Sequence, residues 1–204
     1  MTKRAFDLVF ATAGLVVLSP ILLVLAAWVR ADSRGPALFR QERIGRGGRP
    51  FTMLKFRSMR FEPAGGGALL TAATDRRVTR AGAFLRRTKL DELPQLVNVV
   101  RGDMSLVGPR PEVATYVALY PPDVKARVLS VRPGITDYAT LEYRDESALL
   151  GSDDPEGVYV STILPRKLEL YERYVAEQSL ATDVRLILLT LKAIVRRGGG
   201  ATPV

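Results

Sequence analysis

Two adjacent carboxylates set in a run of basic residues are the part of this sequence best suited to chemistry. Residues 88–112 read Thr-Lys-Leu-Asp-Glu-Leu-Pro-Gln-Leu-Val-Asn-Val-Val-Arg-Gly-Asp-Met-Ser-Leu-Val-Gly-Pro-Arg-Pro-Glu. A helix from about Glu92 to Val100 would set Asp91 at its N-cap and Pro94 in its first turn, where a missing N–H costs nothing. Such a helix start offers free N–H groups and a positive dipole end to a phosphate. Arg110 follows the helix breakers Gly102 and Gly108 and stands between Pro109 and Pro111, which hold its backbone extended or turned. A guanidinium presented this way suits two-pronged contact with phosphate. An Asp-Glu pair at a helix start is also the ordinary form of a cap, and pattern alone favours that plainer reading. The surroundings shift the balance. Arg86, Arg87 and Lys89 lie just ahead of the pair and would lower both carboxylate pKa values, keeping them ionised as a nucleophile or metal ligand must be. Like charges side by side oppose this, and a divalent cation would relieve them.

The residue inventory narrows the chemistry further. There is no His and no Cys, which excludes Ser-His-Asp and Cys-His catalysis, imidazole-bound zinc, thiolate sites and disulfides. Carboxylates, Lys, Arg, Tyr and hydroxyls remain, and a metal would be a hard cation on oxygen ligands, most simply Mg²⁺. The 30 Lys+Arg against 21 Asp+Glu, a net +9, predict attraction to polyanions: nucleic acid, anionic lipid or phosphorylated substrates. At 204 residues the chain is one domain of ordinary size.

The elements that must position these groups begin with an uncharged apolar run, Leu8 to Val29, long enough to cross a bilayer. A cleaved signal peptide fits poorly, since no small-x-small site closes the run and Trp28 and Arg30 follow. Cations flank both ends: Lys3 and Arg4 before it, Arg30, Arg34, Arg40 and Arg43 after it, and the positive-inside tendency draws both ends to one face. Ser19 and Pro20 lie near the midpoint. Each half, at ~1.5 Å per residue, reaches only about half of a ~30 Å hydrocarbon core. A straight span and a re-entrant helix-break-helix both fit the length, and the flanks favour re-entrance.

Ala37-Leu38-Phe39 and Phe51 to Phe56 flank Gly45, Gly47 and Gly48, a β-hairpin whose turn is crowded with cations. Lys55, Arg57 and Ser58 alternate with Phe56 and Met59 there, and an anionic partner would relieve their repulsion. Residues 62–73, rich in Gly and Ala, read as a loop. Glu112 to Val131 carries apolar residues at helical spacing broken by Pro121-Pro122, and residues 131–136 read as a turn that sets Arg132 ahead of a proline. Glu142 to Glu156 is acidic and loop-like, placed to meet a neighbouring subunit or to line the site. Leu164 to Val175 is helical with its apolar face on Leu168, Leu170, Tyr171 and Tyr174. Leu180 to Arg197 is amphipathic, able to pack on the core or to lie on a bilayer. The fold class is therefore α+β, mainly helical: a membrane anchor over 1–32, a compact cytosolic catalytic domain with a small hairpin over 33–197, and a disordered tail over 198–204.

These residues, taken together, resemble a known family. Lys3-Arg4-x-x-Asp7 ahead of an apolar run with Ser19-Pro20, Phe39-Arg40-Gln41-x-Arg43-x-Gly45, Lys55-Phe56-Arg57-Ser58-Met59, Leu90-Asp91-Glu92-Leu93-Pro94-Gln95-Leu96-x-Asn98-Val99, residues 102–112 and Arg132-Pro133-Gly134-Ile135-Thr136 look like the bacterial monotopic phosphoglycosyl transferases, or bacterial sugar transferases. The likeness covers nearly the whole chain. It implies a monotopic enzyme on the cytoplasmic face of the bacterial inner membrane. Such enzymes move a sugar phosphate from a UDP-sugar to undecaprenyl phosphate, releasing UMP, as the first membrane step of polysaccharide or glycoprotein glycan assembly. It implies that Asp91 attacks the β-phosphate and forms a covalent phosphosugar intermediate, that Glu92, beside Asp91, binds Mg²⁺, and that Lys55, Arg57 and Arg110 bind phosphate or nucleotide. Ser58, Arg86 and Arg132 join them as candidate substrate-binding residues. Asp137-Tyr138-Ala139-Thr140 stands where many relatives carry Gly and then Ala-Gln, so the sugar is left open, and a homodimer is compatible with the pattern.

Two other classes compete. A non-enzymatic, membrane-attached basic module would bind anionic lipid or nucleic acid, but few aromatics interleave with the basic residues as single-strand binding requires, so no nucleic acid is expected. A Mg²⁺-dependent phosphohydrolase would free sugar phosphate into water without a lipid acceptor.

Overall fold

The computed structural model describes residues 2–60, 75, 77–144, 146–149 and 154–198. The expected loop over 62–73 and the expected tail from 199 on lie outside the described residues. The first element, α1 (Lys3–Asp32), opens on Thr2, whose hydroxyl caps the N–H of Ala5. The break expected at Ser19 and Pro20 is corrected, because the helix runs through both. Pro20 has no N–H to offer the Val16 carbonyl four residues back. The Ser19 hydroxyl donates to that same carbonyl at 2.8 Å, so the freed acceptor is not orphaned. By length and composition α1 could cross a membrane.

Both ends of α1 are fastened to the rest of the chain. Near its start, Lys3 donates to the Val107 carbonyl and pairs with Asp183 at 2.6 Å, and Arg4 donates to the Val99 and Val100 carbonyls. The buried Asp7 carboxylate accepts from the Ser105 hydroxyl and the Leu106 N–H. Near its end, Arg57 donates to the Val29, Ser33 and Arg34 carbonyls, and Asp32 accepts from the Ala81 N–H at 3.0 Å. Ala11, Leu15 and Leu18 pack with Leu96, Val99 and Met104, while Leu25 and Val29 pack with Phe56, Ala81 and Leu85. The opposite face exposes Phe10, Val16, Val17, Leu23 and Val24.

The expected hairpin is present and longer than its apolar cores. Strand β1 (Leu38–Ile44) pairs antiparallel with β2 (Pro50–Phe56), joined by a tight turn in which Gly47 and Gly48 take positive φ. Helix α2 (Arg80–Thr88) follows and ends on Lys89, whose φ of 58° is the left-handed conformation of a helix stop. A 3₁₀ turn, Leu90–Glu92, then leads through Pro94 into α3 (Gln95–Arg101). Asp91 is therefore inside a tight turn, not at the N-cap expected of it. Asn98 ties α3 to β2: its amide donates to the Thr52 carbonyl at 2.7 Å and accepts from the Leu54 N–H at 3.0 Å.

Strand β3 (Ser105–Val107) pairs in parallel with β4 (Gly134–Thr136), which corrects the turn expected over 131–136. The two chains approach so closely that a Cβ on Gly134 would stand 2.0 Å from the Gly108 nitrogen, a proximity that no side chain permits. Between these strands lie α4 (Ala114–Val117) and α5 (Pro122–Val128); after them come α6 (Tyr138–Glu142), α7 (Glu146–Leu149), α8 (Pro155–Val158), α9 (Leu164–Glu177) and α10 (Leu180–Gly198). Leu168, Leu170, Tyr171 and Tyr174 bury the face of α9 assigned to them. α10 seats Asp183 and Leu186 in the interior while Leu188, Leu191 and Val195 stay exposed.

Candidate active site

Three segments converge on the acidic pair: the end of β2 brings Lys55, the turn after α2 brings Asp91 and Glu92, and the stretch after β3 brings Arg110. Glu92 is held from two sides. The Arg110 guanidinium forks onto both carboxylate oxygens, one contact 3.1 Å long, and the Lys55 ammonium stands 3.4 Å from Oε1. Burial works to raise the pKa of Glu92, but Arg110 and Lys55 together hold it well below the usual carboxylate range. Burial lowers the pKa of Lys55 against the support of Glu92.

Asp91 has a different environment. It is 8% exposed, makes no ion pair among the described residues, and its Oδ1 has no hydrogen-bond partner. Burial first and the neighbouring Glu92 second raise its pKa, over the opposing pull of Lys55, Lys89 and Arg110. The expectation that cations would lower both carboxylates therefore holds for Glu92 alone, because Lys55 and Arg110 both bond to Glu92. Arg86 lies on the Asp91 side, where the carboxylate opposes the lowering effect of burial on its guanidinium; it also donates to the Ser58 hydroxyl at 2.8 Å.

The structure thus brings together Lys55, Ser58, Arg86, Asp91, Glu92 and Arg110. Two other candidates point elsewhere. Arg57, 3% exposed, caps the carbonyls at the end of α1, and Arg132 donates to the Gly102 carbonyl at 2.9 Å. Ser19 and Pro20 lie in mid-α1, far along the chain from the pair.

Sequence reasoning missed the groups that hold Arg110 in place. The Gly134 N–H donates to the Pro109 carbonyl, and Arg43 of β1 donates to the Pro111 carbonyl and pairs with Glu112 at 3.1 Å. The second Glu112 oxygen accepts from the Tyr159 hydroxyl at 2.6 Å and lies 3.7 Å from the buried Lys167 ammonium, which pairs with Glu146 at 2.6 Å. The signal was there: Lys167 falls three residues after Leu164 and four before Tyr171, a charge on the apolar stripe of a helix. Two residues of the acidic segment find partners within the chain. Glu146 pairs with Lys167 and Glu142 with Arg166, both on α9 of the same chain.

Two adjacent carboxylates suit a hard cation whose remaining ligands are water and substrate phosphate, the usual state of protein-bound Mg²⁺. Asp91 is the member without a cation partner, and Glu92 would exchange a contact with Arg110 or Lys55. Among the described residues no third acidic side chain joins them.

The opposite shifts have a checkable consequence. A carboxylate whose folded pKa lies below its unfolded value contributes stability above the unfolded value of ~4.3, and that stability is lost as pH falls below it. Wild-type chain is therefore expected to lose more melting temperature between about pH 6 and about pH 3 than the Glu92→Gln variant does. Equal losses would mean that the Arg110 and Lys55 contacts contribute nothing.

Comparison with known proteins adds to this geometry. The sequence matches the family model described as bacterial sugar transferase over residues 1–197. A UDP-glucose:undecaprenyl-phosphate glucose-1-phosphate transferase of Escherichia coli (strain K12) is 38% identical over 94% of this chain and 39% of its own length. A transferase with the same description from Caulobacter vibrioides is 37% identical over 96% of this chain and 70% of its own length. A UDP-N-acetylgalactosamine-undecaprenyl-phosphate N-acetylgalactosaminephosphotransferase of Aeromonas hydrophila is 35% identical over 95% of this chain and 43% of its own length. The chain thus spans less than half the length of two of these relatives.

Proposed function

This chain belongs to the bacterial sugar transferase family, and from that premise we propose that it transfers a sugar phosphate from a UDP-sugar to undecaprenyl phosphate, releasing UMP. The observation that carries the reading is the unequal treatment of two neighbouring carboxylates: Glu92 is held by Arg110 and Lys55, and Asp91 makes no ion pair among the described residues. A carboxylate needs no base to become a nucleophile, which suits a chain without His. The Asp91 carboxylate attacks the β-phosphorus of the donor. The bond from that phosphorus to the bridging oxygen breaks, UMP leaves with the electron pair, and the sugar phosphate is held on Asp91 as an acyl phosphate. A phosphate oxygen of undecaprenyl phosphate then attacks the same phosphorus and restores the carboxylate. Arg110 and Lys55 face the charge on the transferring group, as donors fixed in advance of the reaction. Mg²⁺, held by Asp91 and Glu92 when bound, supplies further charge neutralisation at the phosphate oxygens.

The test is a panel of UDP-sugars assayed for UMP release with and without undecaprenyl phosphate. Sustained release with one or a few sugars, dependent on the lipid, is the expected result. No release with any sugar would defeat the proposal, and sugar phosphate freed without lipid would make the protein a phosphohydrolase instead.

The acceptor is a lipid, so the site must lie at a membrane surface. We propose that α1 lies along one leaflet with its exposed apolar face in the lipid and both ends on the same side, leaving the catalytic residues on the cytoplasmic face of the inner membrane. Support comes from the fastening of both ends of α1 to one folded body, through Lys3, Arg4 and Asp7 at one end and Asp32 and Arg57 at the other, with the exposed apolar residues between them. Thr2→Cys and Arg34→Cys, introduced one at a time into this Cys-free chain, are expected to be labelled by a membrane-impermeant reagent from the same side. Labelling from opposite sides would mean a true crossing.

A further inference from the structure

Two buried polar groups close to the acidic pair remain without partners. Among the described residues Asp91 Oδ1 accepts no hydrogen bond, and Gln95, 1% exposed, has neither its amide N–H group nor its carbonyl oxygen paired. The first is an acceptor and the second carries a donor. They lie four residues apart on one continuous right-handed path, since the 3₁₀ turn Leu90–Glu92 passes through Leu93 and Pro94, both in the helical region, into the first residue of α3. On this partly 3₁₀ path side chains four apart are offset by more than in an α-helix, so the contact falls to the long Gln95 side chain, which leans toward the N-terminal end of its helix.

Two of the surrounding groups are engaged elsewhere. Asn98, one turn further along α3, is committed to the β2 backbone, and Glu92 holds Arg110 and Lys55. A buried amide that bonded to nothing would be a worse occupant of position 95 than an apolar side chain of the same length. We propose that Gln95 is a positioning residue for the nucleophile: in the donor-bound enzyme its Nε2 donates to Asp91 Oδ1, fixing the plane of the carboxylate so that Oδ2 faces phosphorus. The proposal rests on the function proposed above and adds to it a residue that acts through Asp91.

Gln95→Met and Gln95→Asn in the full chain test it, with melting temperature measured without ligand and kcat and KM measured for UMP release. Methionine keeps the length and packing and removes the hydrogen bond; asparagine keeps the amide but falls one methylene short. For Gln95→Met the expected result is an unchanged or raised melting temperature, KM within about twofold of wild type, and kcat lower by about 10- to 100-fold, the loss of one hydrogen bond to a charged group. Gln95→Asn is expected to lose kcat as well, by less. Wild-type kcat in the Met variant overturns the proposal. So does a fall in melting temperature in both variants with turnover per folded molecule intact, or a change confined to KM. A wild-type chain that released no UMP would remove the premise instead, so the two failures are distinguishable.

Discussion

Asp91→Asn is expected to end UMP release, with a loss of more than about 10⁴-fold in kcat, while the protein melts at the same temperature as wild type or higher. The two halves of this expectation come from the same environment. Asp91 is buried beside Glu92, and both facts raise its pKa above the value it has in the unfolded chain. A carboxyl with a raised folded pKa contributes its full stability below the unfolded pKa and loses it as pH rises through the folded one. Above that folded pKa the ionised side chain is therefore a burden on the fold, and an amide of the same shape removes that burden. A nucleophile kept charged at the expense of stability is the usual pattern of a functional site. Incubating wild type with its donor and no acceptor is expected to add the mass of one sugar phosphate, and Asp91→Asn to add none. Normal turnover by the asparagine variant would end the scheme, since the other carboxylate of the pair, Glu92, is held by Arg110 and Lys55.

The sequence announced this pair and its main partners because they belong to short stretches whose local rules are strong: prolines on both sides of Arg110, a proline two residues after Glu92, glycines between two apolar segments. What it did not announce depended on partners remote in sequence or on compensation by a neighbour. The expected break of α1 rested on Pro20, and the Ser19 hydroxyl satisfies the acceptor that the proline frees. The expected helix at Glu92 failed because Lys89 takes a left-handed conformation and closes α2, forcing a 3₁₀ turn before α3 can start. β4 exists only because Gly108 and Gly134 let two distant backbones approach, which no local pattern encodes. Lys55 and Arg57, two residues apart, would share a face if the strand continued. β2 ends at Phe56, so Arg57 turns to the carbonyls of α1 while Lys55 stays with Glu92.

Arg110→Met should produce the second large effect, a fall of about 10²- to 10³-fold in kcat/KM, the scale of removing one fixed donor from a developing negative charge. It should also destabilise the fold, because it leaves the Glu92 carboxylate, 12% exposed, with Lys55 alone. Breaking a fully buried pair from one side costs roughly 3–5 kcal/mol. Arg110 keeps a quarter of its side chain in solvent, so screening reduces this to about 2 kcal/mol. The two losses can be separated. Pairing Arg110→Met with Glu92→Gln removes the stranded charge, and melting temperature should recover in the double variant by more than the sum of the single effects predicts. Activity should not recover, since the phosphate still lacks its guanidinium. Arg110→Lys makes the finer distinction: it keeps the charge and loses the fork that reaches both Glu92 oxygens. If the fork matters, the lysine variant should regain much of the stability and little of the rate. If lysine restores both, Arg110 acts as a point charge, and the network through Arg43, Glu112, Tyr159 and Lys167 that fixes its backbone serves the fold and not the reaction.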